Sequence, residues 1–279
     1  GNLTRAVNEN GLLGGSFVSL DTANAQELVT VSANITDSTG PGGGAFVLKK
    51  CGAGAMKLAG ANTYTGRTIL ENGTLVISSL NCFTADMRKP NSSLGVPMDI
   101  EAGEIVIGEQ GKDGDCALIY IGTGESSDRV LNLAGKNANL TFDHSGTGLL
   151  NLTSDILISG YGANKAIVLK GDTSGIGELA GNIANPHDRT GQATTAITKS
   201  GSGTWTLSGS NSLTGPTKIM QGTLALTNEK SLSDKTEVHI TSGATLGLNF
   251  KGKMNICQLF LDDKPQPNGE YNAANCPEF

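Results

Sequence analysis

The chain has 279 residues, a net charge of −6 and a pI of about 5.1. Proteins that bind nucleic acids present a basic face to the phosphates, so this acidic balance argues against a nucleic-acid partner. No apolar run reaches the roughly 18 residues of a transmembrane helix, so we expect no membrane-spanning segment. Aromatic residues make up only 4% of the chain, and the apolar mass is mostly Leu, Ile, Val and Ala, which suits a narrow β core.

The first 15 residues contain neither a basic n-region nor an apolar h-region. They do not read as a signal peptide, so we interpret the chain as a mature segment or as a piece of a longer protein.

The dominant feature of the sequence is an internal repeat. Residues 50–78 align without a gap to residues 199–227, and 12 of the 29 positions are identical. The shared residues are mainly glycines and an asparagine that fix backbone shape, together with Leu58/Leu207 and Leu75/Leu224. Self-similarity of this kind indicates a stacked β architecture in which each unit buries its face against the next.

Alternation of apolar and polar residues predicts short strands in both copies. In the second copy Trp205 and Leu207 share one face, while Thr204 and Thr206 share the other. We therefore expect the four repeat leucines to be buried and Thr204, Thr206 and Thr223 to face solvent. No segment predicts a convincing helix, because the helix-like stretch 82–88 is soon followed by Pro90.

Weaker similarity extends beyond the repeats, since residues 93–107 parallel residues 231–248. We expect one β-helical domain over residues 1–279, with related modules at about 34–108 and 182–250 and a closing hairpin at 251–279. The first module carries an additional loop at residues 79–92.

The pattern K-x-G-x-G-x-x-x-L-x-G-x-N-x-x-T-G-x-T, followed by G-T-L, occurs in both copies. It resembles the autotransporter-associated β-strand repeat, also called the passenger-associated transport repeat. Residues 258–273 resemble the hairpin that closes such repeat arrays. The resemblance implies an all-β, right-handed parallel β-helix that is secreted or carried on the bacterial outer surface, and it implies no single activity.

The five cysteines form no C-x-x-C or Cys/His metal pattern, and an exported protein favours disulfides. We expect residues 73–78 and 103–108 to lie on the same face of neighbouring coils, as residues 222–227 and 243–248 should. The loops that follow would then bring Cys82 to Cys116. Cys257 and Cys276 would close the terminal hairpin, and Cys51 would remain a free thiol.

Asp37 and Asp172 are the sharpest catalytic candidates. Each begins an Asp-Ser/Thr-Thr/Ser-Gly sequence near one module, and aspartic proteases use two Asp-Thr-Gly or Asp-Ser-Gly turns. Each turn here has one residue too many, and the same residues are common in ordinary turns. A solenoid would also place the two turns several coils apart.

Other candidate sites are weaker. Asp143, His144 and Ser145, or His187 and Asp188, could supply a nucleophile set, but no G-x-S-x-G elbow is present. Asp113 and Asp115 lack the spacing of a calcium loop. Trp205 is expected in the core rather than as an exposed sugar platform. We expect neither a cofactor nor a metal.

The hypothesis that fits best is non-catalytic: a display region of an exported surface protein that adheres to host glycans or glycoproteins such as mucin. The alternative is a secreted hydrolase. It would be an aspartic-type protease using Asp37 and Asp172, or a glycan-active enzyme with acidic residues aligned across coils, for which Asp99, Glu101 and Glu104 are candidates.

Overall fold

The computed structural model describes residues 13–137, 139–276 and 278. These residues form a parallel β-helix whose strands stack into three sheets.

Sheet A contains five strands, in spatial order β1 (Phe17–Asp21), β3 (Val47–Cys51), β5 (Thr68–Leu70), β7 (Ile105–Ile107) and β10 (Leu131–Leu133). Sheet B contains eleven: β2 (Val29–Val31), β4 (Ala55–Leu58), β6 (Gly73–Ile77), β8 (Asp115–Tyr120), β11 (Asn139–His144), β13 (Lys165–Lys170), β15 (Thr195–Lys199), β17 (Thr217–Ile219), β19 (Glu237–Ile240), β21 (Gln258–Leu261) and β22 (Lys264–Pro265). Sheet C contains six: β9 (Glu125–Ser127), β12 (Leu149–Leu152), β14 (Ile176–Leu179), β16 (Thr204–Leu207), β18 (Gly222–Leu226) and β20 (Ala244–Leu248).

Neighbouring strands within each sheet are parallel, except that β21 and β22 pair antiparallel. The predicted all-β solenoid is confirmed. The boundaries of the two modules and of the closing segment 251–279 stay a prediction, although the antiparallel β21–β22 hairpin lies within that segment.

The core is a set of columns of inward side chains from successive coils. Leu58, Leu75, Leu207 and Leu224 are all buried, as predicted. Thr204, Thr206 and Thr223 lie on the outer face and are partly exposed, because neighbouring coils cover each of them from above and below. The period-two alternation therefore determines which side of the sheet each residue occupies.

Trp205 fills the core, as expected, and its indole Nε1 donates to the carbonyl of Lys170 at 2.8 Å. Its register partner in the preceding coil is Gly177. A Cβ at Gly177 would lie 2.5 Å from the Trp205 ring, so the absence of a side chain in one coil makes room for the largest one in the next.

The repeat asparagines join three successive coils. Asn62 Oδ1 accepts from the amide of Ile35 at 2.8 Å, and its Nδ2 donates to the carbonyl of Ser93 at 2.7 Å. Asn211 makes the same two bonds, to Ile183 N and Ser231 O, at 2.7 and 2.8 Å. Buried backbone groups require partners, so each asparagine satisfies a backbone donor below and an acceptor above.

The repeat lysines occupy buried corners. The Lys199 ammonium donates to the carbonyls of Ser200, Gly201 and Gln221 at 2.7–3.0 Å. Lys50 bonds the three equivalent carbonyls of the first copy, at 2.6–2.9 Å. The glycine of each corner, Gly52 or Gly201, has a φ of +76° or +74°, a conformation that favours glycine.

The two copies lie on different faces of the solenoid. The first copy contributes strands to sheets A and B, and its Asn62 loop lies on the third face. The second contributes strands to sheets B and C, and its loop continues the face of sheet A, where Ile183 pairs with Ile156. The intervening coils have a strand in all three sheets. As a result, the second copy begins one face further around the solenoid than the first.

This rotation corrects the predicted register of the first copy. The predicted pairing of residues 222–227 with 243–248 is confirmed by β18 and β20. Residues 73–78 do not pair with 103–108, however, because β6 pairs with β8 and β7 pairs with β5. A short helix, α1 (Ile100–Gly103), also forms where none was predicted, and Asp99 caps it by accepting from the amide of Ala102.

Burial lowers the pKa of Lys199 to about 8 from its usual 10.5. Between pH 8 and 10.5 the Lys199 amine is protonated in the unfolded chain and neutral in the folded chain. The contribution of Lys199 to stability should therefore increase with pH across this window and be lost as the pH is lowered to 8. We expect the free energy of unfolding to rise by up to about 3 kcal/mol relative to Lys199→Met between pH 7 and 10.5. Urea denaturation at several pH values measures the difference. Lys218→Met, at an exposed lysine of β17, is the control, and parallel pH profiles for wild type and Lys199→Met would contradict the prediction.

Candidate binding surface

Asp37 is held by its neighbours in a structural role. Its Oδ1 accepts from the amide of Thr65 at 2.9 Å, and its Oδ2 accepts from the Thr65 hydroxyl at 2.6 Å. In the second copy the side chain of Asn185 takes this role. Its Oδ1 accepts from the backbone amide of Thr214 at 3.0 Å, and its Nδ2 donates to the Thr214 hydroxyl at 2.8 Å. Thr65 and Thr214 are equivalent repeat positions, so an acid is not required here.

Asp172 lies in a different part of the solenoid. Its Oδ1 accepts from the backbone amide of Ser202 at 2.7 Å and from the Ser202 hydroxyl at 3.2 Å. The hydrogen bond from the backbone amide holds the pKa of the Asp172 carboxyl below its usual value. Asp37 follows β2 and Asp172 follows β13, five steps apart along sheet B. At about 4.8 Å per strand this separates them by roughly 24 Å, so the structure does not bring the two carboxylates together.

The three carboxylates considered for glycan hydrolysis lie around one turn rather than along a column. Asp99 caps α1, and Glu101 lies 3.8 Å from the guanidinium of Arg67. Glu104 lies 3.5 Å from Arg67 and accepts from Asn132 Nδ2 at the same distance. The predicted alignment of these acids across coils is therefore not observed.

The histidine sets do not assemble into a triad. His144 is buried, its Nε2 lies 3.1 Å from the carbonyl of Gly148, and burial lowers its pKa. Asp143 instead accepts from the Ser145 hydroxyl at 2.6 Å. His187 and Asp188 lie in another coil, where the Asp188 carboxylate accepts from backbone amides of its own loop.

Asp113 and Asp115 each accept from an asparagine of the next coil. Asn137 Nδ2 lies 2.6 Å from Asp113, and Asn139 Nδ2 lies 2.9 Å from Asp115. Within the described ranges, no group of three His, Cys, Asp or Glu residues is arranged to hold a metal ion.

The five cysteines are free thiols, which corrects both predicted disulfides. Cys116 is the register partner of Gly73 at the start of β6, whereas Cys82 lies beyond the other end of that strand. Four residues of strand alone span about 13 Å, well beyond the roughly 7 Å limit for a disulfide. Cys257 is exposed, while Cys276 borders the cavity at the end of the solenoid, so this pair does not meet either. Cys51 is free, as predicted.

That end cavity has a volume of about 870 Å³ and is lined mainly by Leu246, Leu248, Phe250, Met254, Ile256 and Tyr271. It continues the core columns beyond β19 and β20. These apolar side chains continue the core columns, so the cavity marks the end of the core.

The outer face of sheet C carries a continuous polar column. Four outward side chains are register partners in successive strands: Ser126, Asn151, Glu178 and Thr206. Beside them runs a column of Thr204, Thr223 and Thr245. The hydroxyl, amide and carboxylate groups recur at about 4.8 Å along one face of the sheet, an arrangement that offers hydrogen bonds to a long polar ligand.

The insertion loop, residues 79–92, lies against β9 at one end of this column. Glu125 Oε1 accepts from the amide of Leu80 at 2.7 Å, and Asp128 accepts from the amides of Phe83 and Thr84 at 2.8 and 3.0 Å. No sequence pattern predicts these anchors, because an isolated acid does not reveal which distant backbone amide it will bond. No helix among the described residues is long and apolar enough to cross a membrane.

Comparison with known proteins identifies the repeat. The family model of the passenger-associated transport repeat matches residues 48–77 and 197–226. The chain therefore carries two passenger-associated transport repeats, as the resemblance implied. It is also 30% identical over 156 residues to the adhesin BmaC autotransporter of Brucella suis biovar 1 (strain 1330). The match covers 56% of this chain and 4% of that protein, so the chain spans a small part of the relative. No solved structure gives a significant match.

These matches make the chain similar to an autotransporter passenger segment, and its fold is β-helical. They indicate a protein that is secreted or carried on the outer surface.

Asp37→Asn should leave stability nearly unchanged. The asparagine side chain can bond the backbone N–H and the hydroxyl of Thr65, as the side chain of Asn185 bonds those groups of Thr214. Asp37→Ala should lower the free energy of unfolding by about 1–2 kcal/mol, because it removes both acceptors. Thermal denaturation of the two variants and of Asp172→Asn measures this. A proteolytic activity lost in both Asp→Asn variants, with folding intact, would contradict the structural role.

Thiol titration under denaturing, non-reducing conditions should count five free cysteines. In the native protein Cys257 should react first, because it is exposed. Cys116 should be among the slowest, because it is buried and burial raises its pKa to about 11, which leaves little thiolate. Fewer than five thiols after denaturation would indicate a disulfide and contradict the observed register.

Proposed function

We propose that this passenger segment mediates adhesion to host glycans or glycoproteins such as mucin, and that a glycan lies along the polar column of sheet C. The observation that carries the proposal is the alignment of Ser126, Asn151, Glu178 and Thr206 on one rigid outer face. The adhesin relative supports the same role.

The chemistry of the column favours sugar hydroxyls over ionic ligands. Glu178 is the single charged member of the column, and it also accepts from the Ser208 hydroxyl. The chain as a whole carries a net charge of −6, so an anionic sugar chain would be repelled. Neutral sugars that donate and accept hydrogen bonds suit this surface.

A stacked solenoid also suits a contact that extends along a chain. Four successive coils each add one polar side chain to the column, so a ligand that lies along it can contact several coils at once. The column ends at Thr206, because the next register positions are Ala225 and Gly247. Individual hydrogen bonds to sugar hydroxyls are weak in net terms, and several aligned ones are needed to give measurable affinity.

The test is binding to immobilised mucin by biolayer interferometry. The double variant Glu178→Ala with Thr206→Ala should weaken binding at least about tenfold, because it removes two adjacent polar contacts. Thr141→Ala with Thr198→Ala, at outward positions of sheet B, is the matched control and should bind like the wild type. Enzymatic deglycosylation of the mucin should abolish the contact. Undiminished binding to deglycosylated mucin, or to the sheet C variant, would overturn the proposal.

A further inference from the structure

The insertion loop distinguishes the two copies. In the first copy, residues 79–92 separate β6 from Ser93, whereas residues 228–230 fill the equivalent connection after β18. The additional residues do not simply lie in solvent, because the protein holds them with buried charged side chains.

Arg129 joins the two ends of this region. It is only 1% exposed, its Nε donates to the carbonyl of Gly103 at 2.9 Å, and its Nη1 donates to the carbonyls of Leu94 and Leu80 at 2.7 and 3.2 Å. Burial of a guanidinium is costly and lowers its pKa to about 10. Together with Glu125 and Asp128, this side chain fixes the loop as a rigid part of the surface.

The anchored region presents apolar side chains to solvent. Met87 is 46% exposed, Met98 57% and Ile100 60%. They belong to segments that contact one another. Arg88, next to Met87, donates to the carbonyls of Phe83 and Pro97 at 3.2 Å, and Pro97 precedes Met98. We call Met87, Met98 and Ile100 the apolar loop surface.

The rim of this surface is acidic. Asp86, Asp99 and Glu101 are exposed beside the three apolar residues. Of the nearby cations, Lys89 pairs with the buried carboxylate of Glu125 at 3.3 Å, and Arg67 lies 3.8 Å from Glu101 and 3.5 Å from Glu104. Arg88 donates to two neutral carbonyls and keeps its charge. The exposed carboxylates of Asp86 and Asp99 take no part in these pairs, so negative charge remains accessible beside the apolar side chains.

We infer that the apolar loop surface docks a basic, partly apolar polypeptide segment of the ligand. Flexible methionines adapt to varied apolar side chains, and an acidic rim attracts Lys and Arg around them. A sugar would gain little from these apolar groups, and an anionic lipid surface would be repelled by the rim. The surface adjoins β9, where the polar column of sheet C begins, since Ser127 Oγ donates to the carbonyl of Asn81.

This inference rests on the proposed function only in taking the ligand to be a glycoprotein. The glycan would lie along sheet C, and the adjoining polypeptide would contact the loop. The two contacts use different residues, so each can fail without the other.

The probes are two synthetic peptides of equal length and equal apolar content, one with Lys/Arg flanks and one with Asp/Glu flanks. Fluorescence anisotropy should show binding of the basic peptide and none of the acidic one. The triple variant Met87→Ser, Met98→Ser and Ile100→Ser should bind the basic peptide at least about tenfold more weakly, as expected for loss of the central apolar anchors. A matched triple at other exposed apolar positions, Leu28→Ser with Leu157→Ser and Met220→Ser, should bind like the wild type.

A second variant tests the charge of the rim. Asp86→Lys with Glu101→Lys should reduce affinity for the basic peptide and allow the acidic peptide to bind, and circular dichroism verifies that both variants fold. Equal affinity for the two peptides, or no effect of the apolar triple variant, would overturn the inference. Binding of anionic vesicles that is lost in the apolar variant would assign the surface to lipid instead. Loss of mucin binding in the sheet C variant with peptide binding intact would separate the two proposals.

Discussion

Parallel stacking of coils at the spacing of β-strands is the constraint on which the rest of this molecule depends. Strand ladders satisfy the backbone along the sheets, but at the corners the chain turns and leaves carbonyls and amides without strand partners. The repeat asparagines and lysines fill these positions. Asn62 and Asn211 bond the coils above and below, and Lys50 and Lys199 each gather three carbonyls. The repeat motif therefore consists of residues that bond the backbone groups at the corners, placed between short strands of alternating apolar and polar residues.

The same constraint accounts for the repeat glycines. A Cβ on Gly66 would lie 1.9 Å from the carbonyl oxygen of Phe46, and one on Gly215 would lie 2.4 Å from that of Thr195. The coils approach so closely at these corners that a side chain has no space. Gly177 shows a related effect in the core, where its missing side chain accommodates Trp205 of the next coil.

Much of the fold could be predicted from the sequence because inward and outward positions alternate with a period of two. The burial of Leu58, Leu75, Leu207 and Leu224 follows from that period alone. The face on which each repeat lies does not, because the motif specifies the path within a coil and not the orientation of the coil relative to others. The predicted Cys82–Cys116 contact failed for this reason: β6 and β7 belong to different sheets. The anchors of the insertion loop could not be predicted from the sequence either. Glu125, Asp128 and Arg129 bond backbone groups, and no pattern of side chains indicates where those groups lie.

Rotation of the second repeat by one face has a consequence for the surface of the solenoid. Two copies of one motif in identical orientation would display equivalent loops on a single side. Here the first copy directs its Asn62 loop and its insertion toward the face that sheet C later continues, and the second directs its loop toward the face begun by sheet A. Sheet C can therefore begin at β9, directly against the anchored insertion, and extend uninterrupted through β20. A polar face several strands long with a rigid apolar loop at one end results from the rotation, and neither repeat would generate this combination alone. Divergence in such a chain can change the inserted loop or the outward residues of sheet C while the corner residues, and with them the stack, remain the same.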